Sequence, residues 1–206
     1  MSKFVPLDGL VLREFPPPKR RGFSPAEHDN HEHRLSEAAV MLSFANYLFG
    51  EGANEVTIHP DGLHGKQFAI RKWLLANGYT HETSHGRTDY GGIYVNGTRR
   101  LRVWLKSGHG DVTAMIGQQF VVAECKGGVY NSRHNGVRSS LRSGLREAVG
   151  ALLERPDTER NIAVVPDAVE TRKFAKRLAE RAAKAGVEIA LVTECGEVQF
   201  VLPDAP

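Results

Sequence analysis

The run Val121-Val122-Ala123-Glu124-Cys125-Lys126 constrains this chain more than any other segment. Its first half is the apolar, β-branched text of a strand buried on both faces. At alternate residues it then turns to a carboxylate and an ammonium. Residues two apart on a strand share a face, so Glu124 and Lys126 lie side by side while Cys125 turns the other way, into packing. Just upstream, Asp111 to Ile116 and Gln119 to Lys126 read as the arms of a hairpin around Gly117. With Gly117-Gln118 as the turn, opposed residues have numbers summing to about 235, and Asp111 opposite Glu124 satisfies that sum. One register thus gathers two carboxylates and an ammonium at the end of a buried strand.

Such a cluster is poor core material. Left unpaired there, a charge costs roughly several kcal/mol, and adjacent carboxylates repel unless a cation lies between them. Mg²⁺, with Mn²⁺ as its substitute, suits the arrangement: it takes a few carboxylates and keeps waters for a phosphate substrate. Such an ion lowers the pKa of a water and shields phosphate charge. Lys126 would position or deprotonate that water, or stabilise developing negative charge. The competing reading is a structural Glu124–Lys126 salt bridge at a sheet edge, because an E-x-K triplet alone is a weak signal. The partner-strand aspartate, the apolar run before Glu124 and the helix after it favour chemistry.

The rest of the chain supplies the frame. Its 206 residues, 41% of them hydrophobic, suffice for one domain with a real core. Residues 1–34 stand apart: Pro16-Pro17-Pro18 and Lys19-Arg20-Arg21 mark an N-terminal arm or linker of flexible character, pinned by Phe4, Leu10 and Val11. Residues 35–206 then form the folded domain. Apolar spacing predicts helices over 35–49, 66–77 and 137–154, and a last one capped by Asp167 that stops at Gly186. Strands are predicted over 55–59, over 93–95 and 98–106 around Asn96-Gly97, and over 162–165, 187–192 and 198–202. A strand-helix-strand ending requires a right-handed parallel crossover. The expected class is α/β, a mixed sheet flanked by helices.

The pattern Gly110-Asp111, Glu124-Cys125-Lys126, followed by the helical segment Leu145-Arg146-Glu147-Ala148-Val149-Gly150, resembles the PD-(D/E)XK nuclease superfamily of restriction endonucleases, Holliday-junction resolvases and repair nucleases. The resemblance implies a restriction-endonuclease-like core of helix, three antiparallel strands, helix and strand, laid here over residues 66–165. It implies Asp111, Glu124 and Lys126 as catalytic residues, the backbone carbonyl of Cys125 as a further metal ligand, and a Mg²⁺-dependent DNA endonuclease activity. Gly110 stands where the motif's name has proline. Many members carry a glutamate on the first core helix, and Ala69 occupies that place here. Glu37 is a candidate substitute and Glu55 a weaker one. The other account of Glu37 is an acid favoured by the dipole at a helix start.

Charge distribution offers candidate DNA contacts, although a net charge of +3 does not itself announce nucleic acid. Arg138, Arg142 and Arg146 recur every four residues, with Arg133 and His134 just before them. Arg100, Arg102, Trp104 and Lys106 share one strand face. Either group suits phosphate or a plain solvated face. His28, His31 and His33, with Asp29 and Glu32, lack the cysteines of a zinc site and read better as a solvated segment. His59, Asp61 and His64 read as a loop, and Asp89 ranks below Asp111 because it has no strand relation to Glu124. DNA is the expected partner, and a homodimer suits the cutting of two strands. Two cysteines in strand-like text and no long apolar run imply no membrane span and a reducing, cytoplasmic setting. A nucleic-acid-binding module with weak or no catalysis is the alternative, and a protein-interaction subunit the third class.

Overall fold

The structure is a computed structural model that describes residues 9–14, 32–61, 67–106, 108–132 and 135–203. Along the chain run β1 (Val11–Glu14), β2 (Glu32–Leu35), α1 (Glu37–Gly50), β3 (Glu55–Ile58), α2 (Ile70–Ala76), β4 (Thr80–Ser84), β5 (Gly92–Asn96) and β6 (Arg99–Val103). They are followed by β7 (Val112–Ile116), β8 (Gln119–Cys125), β9 (Gly128–Val129), α3 (Asn135–Leu152), β10 (Arg160–Pro166), α4 (Val169–Lys184), β11 (Val187–Val192) and β12 (Val198–Phe200). One mixed sheet has the order β12-β11-β10-β8-β7-β3-β6-β5-β4, and a small one the order β1-β2-β9. The fold is α/β, a large mixed sheet flanked by helices. Among the described residues no helix is long and apolar enough to cross a membrane.

The two-residue period of β8 divides the core. Val121, Ala123 and Cys125 join the cluster under α1, whereas Val122 joins the cluster under α3 and α4. Burial of both faces makes β8 a central strand, as its apolar text requires. It pairs antiparallel with β7, with Val112 opposite Ala123, and parallel with β10 across the α3 crossover. The same crossover geometry recurs through α4 between β10 and β11. The β5–β6 and β7–β8 hairpins turn at Gly97 and Gly117, both at φ 59°, where a side chain would be strained.

Helix α1 is buried around nearly its whole circumference from Ala38 to Phe49. A helix apolar on all sides belongs at the centre of a fold, and α1 packs across β3, β7, β8, β10, β11 and β12. The resemblance places the first core helix over 66–77; the helix found there is the seven-residue α2, and the sheet's central helix is α1. Two other expectations change. Residues within 1–34 are not all arm: β1 pairs antiparallel with β2, and Leu10 is buried in the main core. Residues 1–8 and 15–31, Phe4 and Lys19-Arg20-Arg21 included, lie outside the described ones. The last helix is capped at Ala168, not Asp167. The Thr171 hydroxyl accepts the Ala168 N–H at 2.8 Å, and Asp167 instead pairs with Arg172.

Candidate active site

The ladder between β7 and β8 ends where the carboxylates begin. Asp111 lies one residue before β7. Its N–H donates to the Ala123 carbonyl at 2.9 Å, and its carbonyl accepts the His59 N–H at 2.8 Å. Its carboxylate oxygen Oδ2 then accepts the Cys125 N–H at 2.8 Å, standing in for a ladder acceptor. Asp111 is therefore held from both neighbouring strands. The register puts Glu124 beside it, and the two carboxyl groups are within hydrogen-bond reach of each other.

Two ionised carboxylates can only accept hydrogen bonds, so this contact requires a shared proton or a cation. The Glu124 side chain is only 14% exposed. Its pKa is raised, first by burial and next by the Asp111 charge, against the pull of Arg155 and Lys126. The Cys125 thiol, fully buried on the opposite face, is pushed well above its ordinary range by burial and is held as packing.

Lys126 follows directly. Its N–H donates to the Val164 carbonyl at 3.0 Å, and its stem lies against Gly144 of α3. Burial alone would lower the ammonium's pKa, but Glu37, Asp111 and Glu124 together outweigh it, and the pKa is raised. Lys126 is thus a cation at neutral pH.

Glu37 is the first residue of α1, and its carboxylate lies 3.9 Å from Lys126 Nζ. Ser36 caps the helix by accepting the Ala39 N–H at 3.1 Å. The close approach depends on Gly127: a Cβ there would stand 2.5 Å from the Glu37 nitrogen and 2.7 Å from the Leu35 carbonyl oxygen. The Gly127 N–H donates to the Glu37 carboxylate, yet burial dominates and raises its pKa. Asp61 and Glu124 raise it further, so the loop after β3 brings a fourth acid to the site. A recess of about 200 Å³ lies here, lined in part by Arg34, Glu37, Asp61, Gln67 and Gly127. Glu55, the weaker substitute, is committed elsewhere: it pairs with Arg100 and Arg102 on an exposed sheet face.

Gly110 also has a spatial reason. A Cβ there would meet the Val122 side chain at 2.6 Å, so the approach to Asp111 leaves no room for proline's ring or any side chain.

Oxygen donors from Asp111 and Glu124, with Glu37 across Lys126, suit a hard divalent ion such as Mg²⁺. The acid pair, whose two charges repel, is the observation that fits one. Among the described residues no group of three or more His, Cys, Asp or Glu side chains is already gathered to hold a metal.

The arginine ridge lies beside α4 with its side chains still partly exposed. Arg138 and Arg142 both pair with Glu170 of α4, and the Arg146 guanidinium lies 4.7 Å from the centre of the Phe174 ring. Arg100 bridges Glu55 and Glu82. Arg133, His134, His28, His31 and His64 lie outside the described residues. His33 meets Tyr130 and Asn131. The His59 Nδ1 donates to the Lys106 carbonyl at 2.8 Å, and Arg71 donates to the Asp89 carbonyl.

Arg155, in the turn after α3, carries no signal in the sequence, yet its guanidinium lies 3.6 Å from Glu124. The crossover through α3 brings it there, and no local spacing signals that return. No protein-family model, no curated protein and no solved structure matches this chain.

Proposed function

We propose that this chain is a divalent-cation-dependent phosphodiesterase that hydrolyses the DNA backbone, of the PD-(D/E)XK kind, with Asp111, Glu124 and Lys126 at its centre. The observation that carries the reading is the Asp111–Glu124 carboxyl contact, poorly solvated and flanked by the Lys126 ammonium. A structural salt bridge needs one carboxylate, and the second only adds repulsion. Supporting the reading is the chain order α1, β3, β7, β8, α3, β10, which is the order the resemblance implies once α2 and the strands between β3 and β7 are taken as an insertion. The same alignment gives the first helix its glutamate, Glu37.

Asp111 and Glu124, with the Cys125 carbonyl and Glu37, would hold Mg²⁺ or Mn²⁺. The bound ion would make a water acidic and neutralise charge on the phosphate. The chain's own residues do the rest. Asp111 is locked by the Cys125 N–H, so the acid pair is preorganised and needs little rearrangement. Lys126, anchored by Val164 and turned toward Glu37, presents a cation where a water or the charge building on phosphorus would sit. Burial of Glu37 and Glu124 excludes competing solvent.

The test is incubation of supercoiled, linear, single-stranded and branched DNA with the protein in Mg²⁺, Mn²⁺ or EDTA. Cleavage should require metal and vanish in Asp111→Ala and Lys126→Ala, with folding retained by circular dichroism. A Lys126→Ala variant that cuts at the parent rate sinks the assignment. DNA bound at every Mg²⁺ concentration yet never cut supports the binding-module alternative.

A further inference from the structure

Behind Glu124 runs a polar chain that the proposed chemistry does not use. Arg155 Nη2 lies 3.6 Å from Glu124 Oε1, and Arg155 Nη1 lies 3.1 Å from His109 Nδ1. His109 Nε2 in turn lies 2.6 Å from Glu159 Oε1. Partner chemistry fixes every role. A guanidinium only donates, so His109 Nδ1 accepts; a carboxylate only accepts, so Nε2 carries the proton and donates. His109 thus links the Arg155 guanidinium to the Glu159 carboxylate through its two ring nitrogens.

This chain is costly to keep. The Glu159 side chain is 13% exposed, and its second oxygen, Oε2, is buried with no hydrogen-bond partner among the described residues. A nearly buried carboxylate with one unsatisfied oxygen is destabilising, so its retention calls for a use beyond stability. The three residues also come from three separate places: the loop before β7, the turn after α3 and the approach to β10. The chain they form ends on Glu124, which Arg155 alone reaches.

We propose that Glu159, His109 and Arg155 form an outer shell that orients the Glu124 carboxylate, with Arg155 as the positioning residue. The inference rests on the phosphodiesterase reading, which makes Glu124 a metal ligand. Outer-shell partners of that kind hold a ligand in one rotamer and change metal affinity by about 10- to 100-fold when removed. His109→Ala is the clean probe, because it removes the link between Arg155 and Glu159 and leaves both of those side chains in place. Arg155→Lys likewise keeps the charge but cannot span Glu124 and His109 together.

The measurement is Mn²⁺ binding to the full chain without DNA, followed by electron paramagnetic resonance of the free ion. Alongside it run melting in EDTA and DNA binding in Ca²⁺. The proposal expects His109→Ala and Arg155→Lys each to weaken Mn²⁺ binding by about tenfold, with DNA affinity in Ca²⁺ within twofold of the parent by this orienting logic. Melting in EDTA separates variants that have lost their fold, and the milder of the two then decides. Mn²⁺ affinity unchanged or tighter in a folded variant overturns the outer-shell role while leaving the phosphodiesterase reading intact. A parent that binds no Mn²⁺, and behaves like Asp111→Asn, overturns both.

Discussion

Replacing Gly127 by alanine tests the joint on which the Glu37 side of the site depends. The added Cβ would lie 2.5 Å from the Glu37 nitrogen, 2.7 Å from the Leu35 oxygen and 2.8 Å from the Ser36 carbonyl carbon. All three are backbone atoms at the start of α1, so no rotamer change relieves the overlap. Gly144 differs: a Cβ there meets the Lys126 stem at 3.2 and 3.5 Å, and a flexible side chain gives way. Overpacking of the unyielding kind costs about 1–3 kcal/mol. For a chain of this size that lowers the melting temperature by about 2–4 °C per kcal/mol. The strain is relieved only if α1 backs away from β8, which draws Glu37 from Lys126. Gly127→Ala should therefore melt roughly 2–12 °C below the parent, and should need more Mg²⁺ or Mn²⁺ for whatever metal-dependent activity the parent has. Gly150→Ala is the control. It is exposed in α3 with nothing within 4 Å of its would-be Cβ, so alanine there should stabilise by about 0.5–1 kcal/mol through helix propensity. Thermal melting with urea titration reads both variants. If Gly127→Ala matches the parent, α1 does not sit on the β8–β9 connection as described, and Glu37 has no place in the site.

Two further outcomes follow from charge placement. Glu124 prefers its proton more when folded than when unfolded, because of burial and Asp111, so the folded state binds the extra proton and stability falls as pH rises past the ordinary value of 4.5. In EDTA, Glu124→Gln should gain on the parent as pH rises through that window, in urea titrations at a series of pH values; a gap that does not change with pH contradicts the acid-pair geometry. Arg146→Ala should lower stability by about 0.5–1 kcal/mol through its lost contact with the Phe174 ring. The salt dependence of any DNA binding should stay as it was, whereas a log–log slope smaller by about one would place that ridge on phosphate.

The sequence exposed the β7–β8 hairpin well because its information is local. A two-residue turn at Gly117 fixes the register, and the register alone opposes Asp111 and Glu124. Glu37 was poorly legible for the opposite reason. Its place depends on a glycine between β8 and β9 that admits the helix backbone, and on a helix too uniformly apolar to show which side meets the sheet. The arginine ridge had the right spacing for a surface, but spacing does not tell solvent from a neighbouring helix. Glu170 and Phe174 on α4 supply partners that spacing does not reveal, and the pairing of α3 with α4 is a tertiary fact.

These differences share one cause. A strand pair declares its partner in its own text, while a helix declares only a face. In this fold the strands carry Asp111, Glu124 and Lys126 to one spot where the β7–β8 ladder stops. There the Asp111 carboxylate takes over as acceptor for the Cys125 N–H. The bond that ends the sheet is the bond that aims the acid. Any substitution that keeps the hairpin but removes that acceptor, Asp111→Ala among them, leaves a partly shielded N–H unpaired at the cost of about 1–3 kcal/mol. Asp111→Asn retains the acceptor oxygen and relieves the repulsion with Glu124, so folding and metal binding should separate cleanly between the two substitutions: the asparagine variant melts at or above the parent in EDTA and still fails to hold Mn²⁺.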